Sequence, residues 1–265
     1  MQDVNVVYHL AAIPHPFKGG EIEYRRINYE GAITVFECAK RSGITKFIFA
    51  SSGCVYGFWG GYAKPDQLPI TENNYKPTLE GGQTLYGYYK YAFEKYLEDN
   101  SKNIKSIAIR IEGVNPNLLT SNTYKSFFLP DSKPEEKSCK VFHLLTSCSV
   151  ENYLEFIKLV IRKDLQNNFE TFNIANEYIH PSIDVQEVIE EYWPNIPNHT
   201  KDNETLYSIA KAKELLGYDP SIPNGFSENP KNNKNDNKTK THNQDVIKEG
   251  SRSLCQRIKR KLTNL

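Results

Sequence analysis

Charge of one sign, paired cysteines and long apolar runs are all missing from this chain of 265 residues. Its 33 basic and 32 acidic residues leave a formal net charge of +1, which removes any global attraction to nucleic acid or an anionic surface. Five cysteines, Cys38, Cys54, Cys139, Cys148 and Cys255, form an odd set with no C-x-x-C pair and no repeated spacing. Neither a disulfide framework nor a zinc site is expected from them, no metal is assigned, and a reducing compartment fits best. No apolar run approaches the roughly 20 residues that span a bilayer, and Met1-Gln-Asp-Val4 offers neither a basic start nor a hydrophobic signal core. The expectation is a cytoplasmic protein with no transmembrane segment and no nucleic-acid partner.

What is present is a regular alternation of short apolar runs and helical patterns. Val4–Leu10 is nearly continuously apolar and rich in β-branched residues, as suits a strand buried on both faces of a parallel sheet, and it ends in the small pair Ala11-Ala12. From Asn28 to Lys40 the positions Ala32, Val35, Phe36 and Ala39 recur at helical spacing, with Gly43 as a stop. Lys46–Ala50 reads as a second strand, Tyr86–Asp99 as a helix and Ser106–Arg110 as a third strand. Strand, helix, strand, helix, strand implies right-handed crossovers and an α/β class. Further on, Val150–Arg162, Ile183–Tyr192 and Ser208–Leu216 read as helices and Thr171–Ala175 as a strand.

That second half looks like a smaller lobe, which sets expected domains of 1–150, 151–226 and 227–265. Ser227–Asn243 has almost nothing to bury and is expected to be disordered. Asp245–Leu265 spaces Arg252, Arg257, Lys259, Arg260 and Lys261 among apolar residues. It fits a basic amphipathic helix able to touch an anionic membrane or a partner, or else a frayed terminus weakened by Gly250.

Two stretches can carry chemistry. Tyr86-Gly-Tyr-Tyr-Lys90 puts a phenol and an ammonium at i and i+4 on one helical face, where the cation favours phenolate and a general base. With 17 tyrosines a chance match is a serious competitor, and Tyr91-Ala-Phe-Glu-Lys95 is a second one. Phe47–Gly57 runs from a buried strand directly into Ser51, Ser52 and Gly53, at the carboxyl edge where parallel sheets bind ligands. Ser52 can bond a substrate hydroxyl or simply cap a turn. His9, inside a buried strand, is read as a satisfied core or wall residue, and neither His9 nor His15 is assigned a catalytic role.

Taken together, Val7-Tyr-His-Leu-Ala-Ala12, Asn28-Tyr-Glu-Gly31, Ala50-Ser-Ser-Gly-Cys-Val-Tyr-Gly57 and Tyr86-Gly-Tyr-Tyr-Lys90 with Glu94 resemble the extended short-chain dehydrogenases. Within them the NAD-dependent epimerase/dehydratase group, UDP-glucose 4-epimerase-like or uronate-dehydrogenase-like, is the nearest pattern. That family's helix usually reads Y-G-x-S-K with a glutamate four residues on, and only the Tyr86 register supplies both Gly87 and Glu94. The resemblance implies that Ser52, Tyr86 and Lys90 are catalytic. Ser52 would orient substrate, Tyr86 would be acid/base, and Lys90 would hold the ribose and depress the tyrosine pKa. Ala11, Ala12 and Asn28, with Tyr86 and Lys90, would line the NAD or NADP site. Arg110, Glu170–Ala175 and Leu215–Pro220 continue the match loosely.

The departures from that pattern also carry expectations. No G-x-x-G-x-x-G occurs, and Val4–Leu10 matches the family's fourth strand, so the fold expected is a Rossmann-like parallel sheet, N-terminally truncated, with impaired cofactor binding. Gly53-Cys54 replaces the Asp-Glu of 4,6-dehydratases, which argues against dehydration. Ile111-Glu-Gly-Val-Asn-Pro-Asn117 stands where the family has Asn and then Gly-Pro. The function expected is NAD(P)-dependent epimerisation or oxidation of a nucleotide sugar or sugar acid, with a homodimer left open. A truncated, inactive binding protein is the alternative.

Overall fold

Residues 46–52 alternate their side chains between two apolar clusters, and that alternation organises the molecule. Phe47 and Phe49 turn to one side with Ala108, while Ile48 turns to the other with Ile107 and Ile109. Strands buried on both faces need helices on both. The computed structural model describes residues 4–14, 19–58, 63–81, 83–115, 146–179 and 184–220. All belong to the compact unit Met1–Asn224; His15 and the expected tail at 227–265 lie outside the described residues.

Strands β1 (Val6–His9), β2 (Lys46–Ser52), β3 (Lys105–Ile111) and β6 (Phe169–Asn173) form one parallel sheet in the order β1-β2-β3-β6. Two further short strands, β4 (Val114–Asn115) and β5 (Cys148–Ser149), pair in parallel with each other. On the first face lie α2 (Gly31–Arg41), contributing Ala32, Phe36 and Ala39, and α3 (Leu85–Asn100), contributing Phe93 and Leu97. On the second face α4 (Val150–Arg162) contributes Phe156, Ile157 and Val160, and α6 (Ala210–Leu216) contributes Ala212 and Leu216. A shorter helix, α5 (Val185–Tyr192), adds Val185 and Ile189 to that second cluster.

Local chemistry sets the boundaries of these elements. Thr84, Ser149 and Asp184 each accept a backbone N–H of the first turn of α3, α4 and α5. Gly43 and Gly217, at φ 73° and 72°, end α2 and α6 in the left-handed region. The carboxyl end of α4 is closed by a distant side chain: Lys46 Nζ donates to the carbonyls of Val160, Ile161 and Lys163 at 2.9, 2.7 and 2.8 Å.

Three differences from the sequence expectation are informative. The helix expected from Asn28 begins at α1 (Glu21–Glu23) and continues through π turns at Tyr24–Glu30 before α2. A π turn inserts an extra residue per turn, which breaks the apolar period and turns Tyr24 and Asn28 inward together. The first strand is shorter than Val4–Leu10, because Val4 and Leu10 are 42% and 61% exposed at its ends. Finally, Phe169–Asn173 pairs with β3 inside the main sheet, and one apolar cluster joins Ile48 and Ile107 to Phe156, Phe172 and Leu216. Residue 150 therefore marks no break in packing among the described residues.

Candidate active site

The carboxyl ends of β2 and β3 carry the side chains of interest. Ser51 and Ser52 are adjacent but their hydroxyls go to different partners. Ser51 Oγ meets Glu94 Oε1 on α3. Ser52 Oγ accepts the N–H of Cys54 at 3.1 Å, capping the tight turn Gly53–Tyr56. That turn packs against the start of α3 at a spot only glycine allows: a Cβ on Gly87 would stand 2.3 Å from the carbonyl oxygen of Cys54. Gly87 thus brings Tyr86 alongside the Ser52 turn.

A cleft of ≈ 220 Å³ opens there, lined among others by Ala12, Ser52, Cys54, Tyr86, Lys90 and Glu112. Ser52, Tyr86 and Lys90 are therefore brought together, and the Tyr86 register is the one that faces the cleft. In the competing register Lys95 pairs with Glu98 at the surface and Tyr91 packs against the second-face core. Lys90 is 3% exposed, and its Nζ donates to the Ala50 carbonyl at 2.6 Å and sits 4.6 Å from the centre of the Phe49 ring. Burial pushes its ammonium down to about 8, against the opposing pull of Cys54 and Glu94.

The charge balance at Tyr86 differs from what the resemblance implies. Burial pushes the phenol above its ordinary value, Cys54, Glu112 and Tyr24 add to that, and a hydrogen bond with Ser52 pulls the other way. Lys90 is not what sets it in this state, because its ammonium is engaged with Ala50 and its Nζ stands 5.7 Å from the Tyr86 ring centre.

Of the residues expected along the cofactor wall, Ala12 lines the cleft while Ala11 is exposed beside it. Asn28 is buried, and both ends of its amide hold Ile13: Oδ1 accepts from the Ile13 N–H at 2.8 Å and Nδ2 donates to its carbonyl at 3.2 Å. Asn28 therefore positions the wall rather than offering itself to a ligand. His9 is buried among Phe47, Phe49 and Phe93 as expected, but among the described residues it is not satisfied: its Nε2 has no hydrogen-bond partner there. Burial and the nearby Lys90 charge lower its imidazole to about 4.

Behind the cleft lies a saturated polar network. Arg110 donates to Glu94 through Nε at 3.2 Å and Nη2 at 2.7 Å, and through Nη1 to Tyr56 Oη at 2.8 Å and the Glu72 carbonyl at 2.7 Å. Tyr56 Oη donates to Asn173 Oδ1 at 2.6 Å, tying β6 to the turn. The sequence pattern pointed to Glu94 and Arg110 without showing that they pair. It missed Cys54 and Glu112 as cleft residues, although the strand register that pairs Ser52 with Ile111 places Glu112 beside Gly53.

Residues 1–129 match the NAD dependent epimerase/dehydratase family. The matched residues make up just under half of the chain. A UDP-glucose 4-epimerase of Haemophilus influenzae is 30% identical over 102 residues, which are 38% of this chain and 28% of that enzyme. The curated epimerases that match do so over 24% to 30% of their own length. Among solved structures, a UDP-galactose 4-epimerase superposes with a TM-score of 0.55 at 20% identity, covering 82% of this chain and 72% of that one. The UDP-glucuronic acid 4-epimerase of Bacillus cereus, solved with NAD, gives 0.55 at 20% identity, over 84% and 70%. These likenesses establish a Rossmann-like fold, the parallel α/β sheet described above. Among the described residues no helix is long and apolar enough to cross a membrane.

Proposed function

We propose that this chain carries the Ser-Tyr-Lys site of a NAD(P)-dependent epimerase or oxidoreductase that acts on a nucleotide sugar or sugar acid. The observation behind this reading is the convergence of Ser52, Tyr86 and Lys90 on one cleft at the carboxyl ends of β2 and β3. The described residues fit the ribose–nicotinamide end of a dinucleotide: a buried ammonium and a phenol stand ready for ribose hydroxyls, with the small Ala12 on the same cleft. When bound, the nicotinamide supplies hydride uptake and return.

The chain's own residues supply position and proton transfer. Ser52, which lines the cleft with Tyr86, orients the sugar hydroxyl toward the phenol oxygen. Tyr86 keeps its proton at rest because it is buried, so accepting a proton from substrate requires a cation to offset that burial. Lys90 is the buried ammonium placed to do so once ribose hydroxyls draw it from Ala50. No G-x-x-G-x-x-G occurs in the sequence, so the reading includes weak dinucleotide binding by this chain; micromolar affinity in calorimetric titration would remove that part.

Kinetics of three variants test the assignment. Tyr86→Phe is expected to lower kcat by about 10²–10⁴-fold with nucleotide binding kept. Lys90→Met is expected to weaken both binding and rate and to move the basic limb of the pH–rate profile upward. Tyr91→Phe is expected to be mild. A dead Tyr91→Phe beside an active Tyr86→Phe overturns the assignment.

A further inference from the structure

Among the described residues Glu112 is the one acidic side chain lining the cleft, and two other positions are arranged around it. It follows β3 directly, so its backbone sits at the carboxyl end of a central strand. The pairing of Ser52 with Ile111 sets it against Gly53. A Cβ at position 53 would stand 1.9 Å from Glu112 Oε1, 2.5 Å from Cδ and 2.7 Å from Cγ. The carboxylate thus occupies space that any other residue at 53 would claim. It lies over the Ser52 turn because Gly53 has no side chain.

The second position holds it there. Tyr207 Oη donates to Glu112 Oε1 at 2.7 Å. Tyr207 is fully buried, packs edge-on against Tyr56, and is fixed by a bridge to Ile70, with Leu206 accepting from Ile70 N–H at 2.9 Å. Burial and the adjacent carboxylate push its phenol well up, so Tyr207 remains a proton donor across the working pH range. A rigid tyrosine, a missing Cβ and a strand register converge on one carboxylate beside Tyr86.

An ionised carboxylate accepts hydrogen bonds and cannot give them. Facing a sugar, it matches hydroxyl donors and opposes a second carboxylate brought close to it. We propose that Glu112 is a specificity-determining residue of this cleft, selecting a neutral, hydroxyl-bearing sugar over one that carries a carboxylate. This rests on the nucleotide-sugar reading above and narrows it, since that reading admits sugars and sugar acids alike.

The test is calorimetric binding of UDP-glucose and UDP-glucuronic acid to the full chain with NAD present, for the parent protein, E112Q and G53A. Thermal melts establish that each variant is folded. The parent is expected to bind UDP-glucose about tenfold more tightly than UDP-glucuronic acid. E112Q, which keeps the shape and removes the charge, is expected to bring the two within about threefold, chiefly by strengthening the acid. G53A is expected to act in the same direction, because its methyl displaces the carboxylate; if G53A fails to fold, E112Q decides. A parent that prefers the acid, or a preference unchanged in folded E112Q, overturns the inference while leaving the nucleotide-sugar reading intact. Failure of the folded parent to bind either ligand overturns that reading and this inference with it.

Discussion

Two polar regions meet at Ser51 and Ser52, and they are built on opposite principles. Around Ser51 each polar side chain has its partner: Glu94 takes the serine and Arg110, and Arg110 reaches on to Tyr56 and Glu72. Around Ser52 the groups are pushed away from their ordinary ionisation, Tyr86 and Cys54 upward and Lys90 downward, by burial. The first arrangement is a lock that fixes β2, β3, β6 and α3. The second keeps chemical potential in reserve beside it. Displaced ionisation alone does not separate the two regions, since burial pushes the Tyr56 phenol up inside the lock as well; what separates them is that Tyr86 and Lys90 carry theirs at a cleft.

The comparison can be broken most severely from the side of the lock. Arg110→Met leaves Glu94 buried without its ion-pair partner and is expected to cost about 3–5 kcal/mol, seen as a large fall in the urea midpoint. Should stability hold, the network is not what fixes the strands. Gly87→Ala drives a methyl into the Cys54 carbonyl and is expected to cost about 1–3 kcal/mol while also lowering turnover, because Tyr86 shifts away from Ser52. An effect on stability without one on turnover would separate that contact from the site.

Lys46→Met removes three bonds to the end of α4 and is expected to cost about 1–2 kcal/mol, measured in the same denaturation series, with turnover unchanged. The smallest effect concerns His9. Its folded-state pKa, about 4, lies below the usual 6.5, so folding favours the neutral ring. The stability from that neutral ring is full above about 6.5 and is lost as pH falls toward 4, because the unfolded chain gains the proton first. His9→Phe is expected to flatten the melting temperature across that window; a slope that survives assigns the acid sensitivity elsewhere.

Much of this was legible from local pattern. Val150–Arg162 has the bounds its period suggests, and β2 and β3 were visible because strands buried on both faces read as unbroken apolar runs. Tyr86 and Lys90 were legible because a helix fixes their spacing. What stayed hidden depends on pairing across the sheet. Nothing local says that Glu112 folds into the space left by Gly53, or that Tyr207, 95 residues on, holds it. The π turns were hidden for a related reason: an inserted residue erases the period by which helices are recognised.

The two neighbouring serines also guard the register of β2. Successive strand side chains alternate in direction, so sliding β2 by one residue would send Ala50 or Ser52 toward Glu94 and Ser51 toward the turn. Two identical hydroxyls would make that slip look harmless. It is not, because Phe47 and Phe49 would then exchange sides with Ile48, setting large rings where the second face has room for a branched aliphatic chain. A misaligned chain thus meets a steric penalty several residues before the site, and the aromatic end of the strand proofreads the hydroxyl end.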